Sequence, residues 1–227
     1  QDDRLMVSTL NRTQNDLHIY AVNPATAQAT EVYAEQSTSW IDSKSANDVM
    51  YYDTFFVMPS EKSGYMHLYQ YAYDGKLIKQ LTSGNENVTE FYGYDKARKQ
   101  FFYQRTNGAL NRMVESVDAA GKVTALTDGD GTYSAKFNSN FKYYIRTFSS
   151  QRILNQYAIH NVNGKKVRDL ELNREFAEKY TAPTVPHREF ITVESDGYTL
   201  NGYIIKPVDF DPNKKYPVIM QQYSGPG

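Results

Sequence analysis

A mainly β fold, organised as a partial β-propeller of about three to four four-stranded blades, is predicted by three features of the 227-residue sequence. The first is a repeated unit, an alternating strand, a tight turn ending Gly-Lys, then another alternating strand. It occurs at HLYQYAYDGKLIKQLTSG (67–84), RMVESVDAAGKVTALTDG (112–129) and QYAIHNVNGKKVRDLELN (156–173). The second is spacing: Gly75-Lys76, Gly121-Lys122 and Gly164-Lys165 lie 46 and 43 residues apart. Four antiparallel strands recurring every 40 to 50 residues mark a propeller blade, whereas a β-sandwich would space its hairpins irregularly. The third is composition. Twenty Tyr and 11 Phe accompany a mean hydropathy of -0.66, a mixture suited to pleated surfaces with one face or edge near water.

The elements follow in order. DLHIYAVNPATAQATEVYAE (16–35) is a degenerate first copy, with Pro24 and Ala25 where the later copies carry their turn. Two further strand-like runs precede each closing pair, for instance 88–106 and 133–150. Asp74-Gly75 and Asn163-Gly164 supply the positive φ that two-residue hairpin turns demand. One helix is expected over 170–186, with Leu172, Phe176 and Tyr180 on one face and Asn173 as its cap, stopped by Pro183 and Pro186. Three clear units and a partial one are too few to close a ring, so the chain begins mid-propeller or forms an open arc.

From His187 the pattern changes. REFITVESDGYTLNGYIIKP (188–207) reads as two strands around Ser195-Asp196-Gly197. After a polar loop, the unbroken apolar run Val218–Met220 reads as a fully buried strand of an α/β sheet. The expected division is a propeller portion over 1–182 and a second domain over 183–227.

Composition narrows the function. Twenty-five basic and 26 acidic residues leave a net charge of -1, which argues against nucleic acid or an acidic membrane surface as partner. With no cysteine there is no disulfide scaffold and no thiolate metal site. No run approaches the roughly 18 apolar residues needed to span a bilayer. Gln1-Asp2-Asp3-Arg4 has no signal-peptide core, so an export signal is expected outside this chain.

The hairpin, Lys214-Lys215-Tyr216-Pro217, an apolar strand and Tyr223-Ser224-Gly225-Pro226-Gly227 together resemble the opening of the catalytic domain in the prolyl oligopeptidase family, and most of all its dipeptidyl peptidase IV branch. SEKSGYMHLYQY (60–71) is similar to a late blade of that branch; over 1–54 only the strand pattern and Ser39-Trp40 carry the likeness. The resemblance implies late propeller blades followed by the first strands of an α/β-hydrolase domain, in a periplasmic or secreted serine exopeptidase. Such an enzyme takes Xaa-Pro or Xaa-Ala dipeptides from peptide amino termini and needs no cofactor. Its partners would be peptide substrates and the remainder of its own chain, with a homodimer left open.

The resemblance also implies that the Tyr223 hydroxyl is an oxyanion-hole donor: a phenol is neutral, rigid and donates one directed hydrogen bond. Without it, Tyr223 would be a tyrosine capping a buried strand end. Ser224 is rejected as nucleophile, because Gln222 and Pro226 stand where a G-x-S-x-G elbow needs glycine. The family's Ser, Asp and His are expected beyond residue 227, and its amino-terminus-binding glutamates before residue 1, so this chain is expected to be inactive. The competing reading is a non-catalytic propeller serving as an interaction module.

Other motifs carry little chemistry. His18, His67, His160 and His187 are scattered and read as structural. Asp128-Gly129-Asp130-Gly131 begins like a calcium loop but continues with Thr132 and Tyr133, so a hairpin turn is expected there. Asn11-Arg12-Thr13 and Asn87-Val88-Thr89 are formal glycosylation sequons. Arg105 and Arg112, with nearby aromatics, suit a groove or a solvated blade surface equally.

Overall fold

The computed structural model describes residues 4–108 and 110–222. It is mainly β and divides after Asn173 into two units.

The first unit contains successive antiparallel sheets. Strands β1 (Leu5–Leu10), β2 (Asp16–Val22) and β3 (Ala29–Gln36) form the first sheet, in that order. The connection from β2 to β3 replaces an Asx-Gly turn with Asn23, whose Oδ1 accepts the amides of Ala25 and Thr26 while Ala27 takes φ 57°. After the single-turn helix α1 (Lys44–Asn47), strands β4 (Met50–Tyr51), β5 (Phe55–Ser60), β6 (His67–Ala72) and β7 (Leu77–Gln80) make the second. The third comprises β8 (Val88–Asp95), β9 (Gln100–Asn107), β10 (Asn111–Asp118) and β11 (Val123–Ala125). The fourth comprises β12 (Thr132–Phe137), β13 (Tyr143–Ser149), β14 (Gln156–Asn161) and β15 (Lys166–Glu171). One parallel pair, Arg112 with Thr132, joins the last two sheets.

Strand alternation explains how these sheets stack. Along β5, Phe56 and Met58 enter one core cluster with Leu17, Ile19 and Val32, while Val57 between them enters a second with Phe101 and Val117. Along β9, Phe101 and Tyr103 face that second cluster, and Phe102 faces a third with Val114, Tyr133 and Tyr144. The period of two therefore sends neighbouring aromatics into different cores. The two middle sheets are buried on both faces and the end sheets on one. The aromatic-rich, low-hydropathy composition follows from this arrangement.

The repeated turns have a shared geometry. Gly75, Gly121 and Gly164 adopt φ 85°, 96° and 83°. Each glycine amide donates to the carbonyl three residues back, in Ala72, Asp118 and Asn161 respectively, at 2.9–3.1 Å. Those three residues donate in turn to the carbonyls of Lys76, Lys122 and Lys165. These are three-residue loops with a left-handed glycine, not the two-residue turns expected at Gly75 and Gly164; the extra residue is accommodated by the glycine bulge. A Cβ added to Gly75 would lie 3.3 Å from the Val32 carbonyl oxygen, and one on Gly164 3.2 Å from that of Leu126. One on Gly121 would meet Lys79 Nζ at 3.0 Å. Each Gly-Lys turn thus abuts the end of the preceding sheet, so the repeated glycine serves both a turn and a contact between sheets.

Residues Asp128–Gly131 are not a hairpin turn. They cross from β11 to β12, and the Gly131 amide donates to Asn111 Oδ1 at 3.0 Å while its carbonyl accepts from the Arg112 amide at 3.0 Å. Long-range bonding to β10 sets this path, which local turn chemistry cannot reveal.

The second unit opens with α2 (Arg174–Tyr180), shorter than the helix expected over 170–186. Leu172 lies before it, Phe176 is 61% exposed, and Asn173 takes φ 51° with its side-chain amide bonded to the Asn155 carbonyl. The anticipated apolar stripe is not assembled because its first member belongs to the preceding extended segment. Strands β16 (Arg188–Ser195) and β17 (Tyr198–Ile205) form a hairpin around Asp196 and Gly197, with φ 50° and 82°. The hairpin expected around Ser195-Asp196-Gly197 is present, and because Ser195 pairs with Tyr198 its turn has two residues. Val218, Ile219 and Met220 correct another expectation: they lie in no strand and are 85%, 97% and 80% exposed. An apolar run becomes a buried strand only when neighbours supply ladder bonds and cover, and no described residue pairs with it.

Candidate functional site

Tyr223, the residue on which the catalytic expectation rests, lies outside the described residues, as does Ser224. The segment leading to it is described. Tyr216 stacks on Phe210 with ring centroids 5.2 Å apart, and its hydroxyl accepts the Asp211 amide at 2.9 Å. Lys214 approaches Asp211 at 3.8 Å. The K-K-Y-P motif thus closes a local loop over 210–216 through its tyrosine, while its lysines remain exposed.

In the first unit, polar side chains gather at two places. Between the first two sheets, the Glu35 carboxylate accepts from the Tyr33 hydroxyl and, at 2.8 Å, from Ser60 Oγ. The Lys62 ammonium donates to the Tyr71 hydroxyl and sits 4.0 Å from the Tyr69 ring centroid, with the Tyr71 and Tyr33 rings at 4.9 and 5.6 Å. Burial pushes Tyr71 up to about 12 and lowers Lys62 below the usual ammonium range. The three aromatic faces favour the cation, so this group is a clamp between sheets.

In the third sheet, Glu115 is buried; its two oxygens meet Arg105 Nη2 at 2.9 Å and the Tyr103 hydroxyl at 2.8 Å. Arg105 Nη1 donates to the Thr106 carbonyl, and Thr106 Oγ1 donates to Glu86, which also accepts the Gly108 amide at 3.0 Å. The Thr106 hydroxyl, followed by that amide, holds Glu86 below the usual carboxylate range. Arg105 is therefore committed to a structural pair, and Arg112 binds the Asn111 carbonyl at 2.8 Å. Neither forms the groove considered above. A shallow cleft of about 400 Å³ lies elsewhere, between the first strands of the third and fourth sheets, lined by Glu90, Tyr92, Phe137, Asn138 and Phe141 with Met50.

The histidines are structural, as expected. His18 pairs with Glu31 at 2.7 Å and Asp16 at 3.2 Å, and His187 meets the Tyr180 ring edge-on at 6.1 Å. Buried His67 bonds Thr82 Oγ1 and the Gly84 carbonyl, both at 3.1 Å. That hydroxyl–imidazole pair has no solvent access and no carboxylate orienting it, so it is not a nucleophile and base. His160 is stacked on Tyr144 and donates from Nδ1 to the Gly164 carbonyl at 2.8 Å, which leaves Nε2 buried without a partner. Desolvation lowers the pKa of both His67 and His160. Their folded-state values lie below the unfolded one, so each stabilises the fold fully above the ordinary histidine value of 6.5, and this is lost as pH falls below it. Thermal melts from pH 7.5 to 5 should show a falling midpoint, and His160→Gln should flatten the slope; an unchanged slope contradicts the assignment.

Among the described residues no group of His, Asp and Glu is placed to hold a metal, and Asp128–Gly131 carries none of the geometry of a calcium loop. Both sequons are used structurally. Asn11 Oδ1 accepts the amides of Asn15 and Asp16, and Asn87 Oδ1 accepts that of Met66 at 2.8 Å. Reading residues in sequence missed the Lys62 clamp and the Arg105–Glu115 pair. Their only sequence signal is period-two spacing, Tyr69 with Tyr71 and Tyr103 with Arg105, and that spacing names a shared face without naming the partner across the sheet.

A mainly β chain of repeated, stacked antiparallel sheets has the architecture of a propeller-type fold. Its family is specific: residues 1–154 match the dipeptidyl peptidase IV (DPP IV) N-terminal region, and the chain belongs to that family. The crystal structure of Porphyromonas gingivalis dipeptidyl peptidase 4 superposes with a TM-score of 0.89 at 35% identity, over 95% of this chain and 31% of that one. Dipeptidyl peptidase 4 of Arthroderma otae is 29% identical over 99% of this chain and 30% of its own length. A Bacteroides ovatus structure, a dipeptidyl aminopeptidase IV candidate, shares the fold, with a TM-score of 0.82 at 24% identity over 95% of this chain and 34% of that one. The chain thus spans about 30% of the length of these relatives. No helix among the described residues is long and apolar enough to cross a membrane.

Proposed function

We propose that this chain is part of a serine-type dipeptidyl peptidase that releases N-terminal dipeptides, with Pro or Ala second, from peptides in the periplasm or outside the cell. The observation that carries the reading is the continuity of its likeness to P. gingivalis dipeptidyl peptidase 4 across 95% of the chain. In this reading residues 1–182 are propeller, with three four-stranded blades and one of three described strands, and 183–227 begin an α/β-hydrolase domain. The sheets wall a chamber that admits short or unfolded peptides, and the hairpin with its K-K-Y-P loop leads to Tyr223. There the phenol donates a hydrogen bond to the oxygen on which negative charge develops as an acyl-enzyme forms.

No G-x-S-x-G occurs in the 227 residues, so the chain alone is inactive. The purified chain should not turn over a Gly-Pro chromogenic substrate; turnover abolished by a serine-directed inhibitor defeats this. In a parent enzyme, Tyr223→Phe should lower kcat by about 10²–10³ with little change in KM. An unaltered kcat would remove Tyr223 from the oxyanion hole.

A further inference from the structure

The cleft between the third and fourth sheets departs from regular structure on both of its sides. Along β8 the pairing with β9 slips between Val88 and Glu90 and again between Phe91 and Gly93, which makes Thr89 and Tyr92 bulged residues. Glu90 stands opposite Gln104, whose side-chain amide reaches the Tyr133 carbonyl, so the Glu90 carboxylate shares the face that looks onto the fourth sheet. Tyr92 reaches the same way, its hydroxyl accepting the Ala135 amide at 3.1 Å. On the far side Phe141 takes φ 52°, a left-handed conformation uncommon outside glycine, and its ring centroid lies 5.3 Å from that of Phe102 and 5.4 Å from that of Phe137. Gly93 leaves room for this ring: a Cβ there would lie 3.0 Å from Phe141 Cζ. The Tyr92 and Phe137 rings follow at 5.7 Å, and all three cleft rings are only partly buried. Glu90 is exposed and enters no ion pair among the described residues. Lys136 borders the cleft, but strand alternation directs its side chain to the face opposite Ala135 and Phe137. The cleft therefore combines one carboxylate with three partly open aromatic rings.

We infer that this cleft receives an arginine side chain of the bound peptide, with Glu90 pairing with the guanidinium and the Tyr92 and Phe137 rings lying against its flat faces. That the bearer is a peptide rests on the peptidase reading above. A carboxylate beside open π faces selects a cation over a neutral group. The planar guanidinium stacks on rings and meets a carboxylate through two nitrogens, which suits this combination better than a compact, strongly hydrated ammonium. The same unit already contains one such arrangement, in which Lys62 supplies the cation to the Tyr69, Tyr71 and Tyr33 rings beside Glu35. At the cleft no described residue supplies the cation, and a volume of about 400 Å³ is within the usual range for a small-ligand site.

The experiment is a calorimetric titration of the 227-residue chain with acetyl-Ala-Arg-Ala-amide, whose only charge is the side chain, and with its citrulline counterpart, which keeps the shape and loses the charge. The arginine peptide is expected to bind about tenfold more tightly than the citrulline peptide, a preference that weakens as salt rises. Glu90→Gln, at an exposed position that leaves the fold intact by circular dichroism, should abolish the preference, while Lys136→Gln should leave it in place. Tyr92→Phe, which keeps the ring, should retain the preference, and Phe137→Leu should reduce it. Equal binding of the two peptides, no saturable binding of either, or an undiminished preference in Glu90→Gln overturns the inference. The titration involves no turnover, so its failure leaves the Tyr223 test and the peptidase reading untouched, and their failure leaves the measured preference standing.

Discussion

Replacing Gly131 by alanine is expected to cost about 4 kcal/mol of unfolding free energy, combining backbone strain with overpacking. The glycine takes φ 139°, and a Cβ there would lie 2.5 Å from Phe148 Cε2 and 2.7 Å from the Ser149 carbonyl oxygen. The ring could give way, but the backbone oxygen belongs to β13, paired with Thr132, and cannot. Gly131 also carries the Asn111 and Arg112 bonds that join the third and fourth sheets, so a shift would spread into both. Gly84 is the internal control: φ is 113°, but nothing lies within 4 Å of the place its methyl group would take. Gly84→Ala should therefore show only the strain, about 1–3 kcal/mol. Urea denaturation of both variants separates the two effects; equal losses would mean that the crowding at Gly131 relaxes freely.

Removing the Glu115 carboxylate should be nearly as damaging. Glu115→Ala leaves the Arg105 guanidinium and the Tyr103 hydroxyl without their acceptor inside the sheet. Breaking a buried pair on one side costs about 3–5 kcal/mol, and the partial exposure of Arg105 places this case near 3. The loss should be largely recovered by the triple change Tyr103→Phe, Arg105→Met and Glu115→Leu, which removes every group that needs the charge. The comparison identifies the source of the loss: if the triple variant is as unstable as Glu115→Ala, packing volume and not an orphaned charge is responsible. Both Arg105 and Glu115 lie on paired strands β9 and β10, so the test also reads how firmly the third sheet is held.

The legibility of this chain followed the range of the forces involved. Alternation of apolar residues, Asp-Gly and Asn-Gly turns and the 46- and 43-residue spacing of the Gly-Lys pairs are local signals, and they located the repeated hairpins and the later turn at Asp196-Gly197. The same signals misjudged loop length by one residue at Gly75 and Gly164, because the bulge that distinguishes three from two is set by the closing bonds of the ladder.

The residues alone thus determined the β class, the repeat and the family likeness, since each is written in spacing and turn chemistry within a few dozen positions. Tertiary structure decided which carboxylate takes Arg105, why Asp128–Gly131 crosses between sheets, and where Lys62 finds its rings. It also decided that Val218–Met220 are uncovered, although the run itself reads as a buried strand. In each case the controlling contact comes from residues distant in sequence, and a side chain's neighbours across a sheet are chosen by register and stacking, which no local pattern encodes.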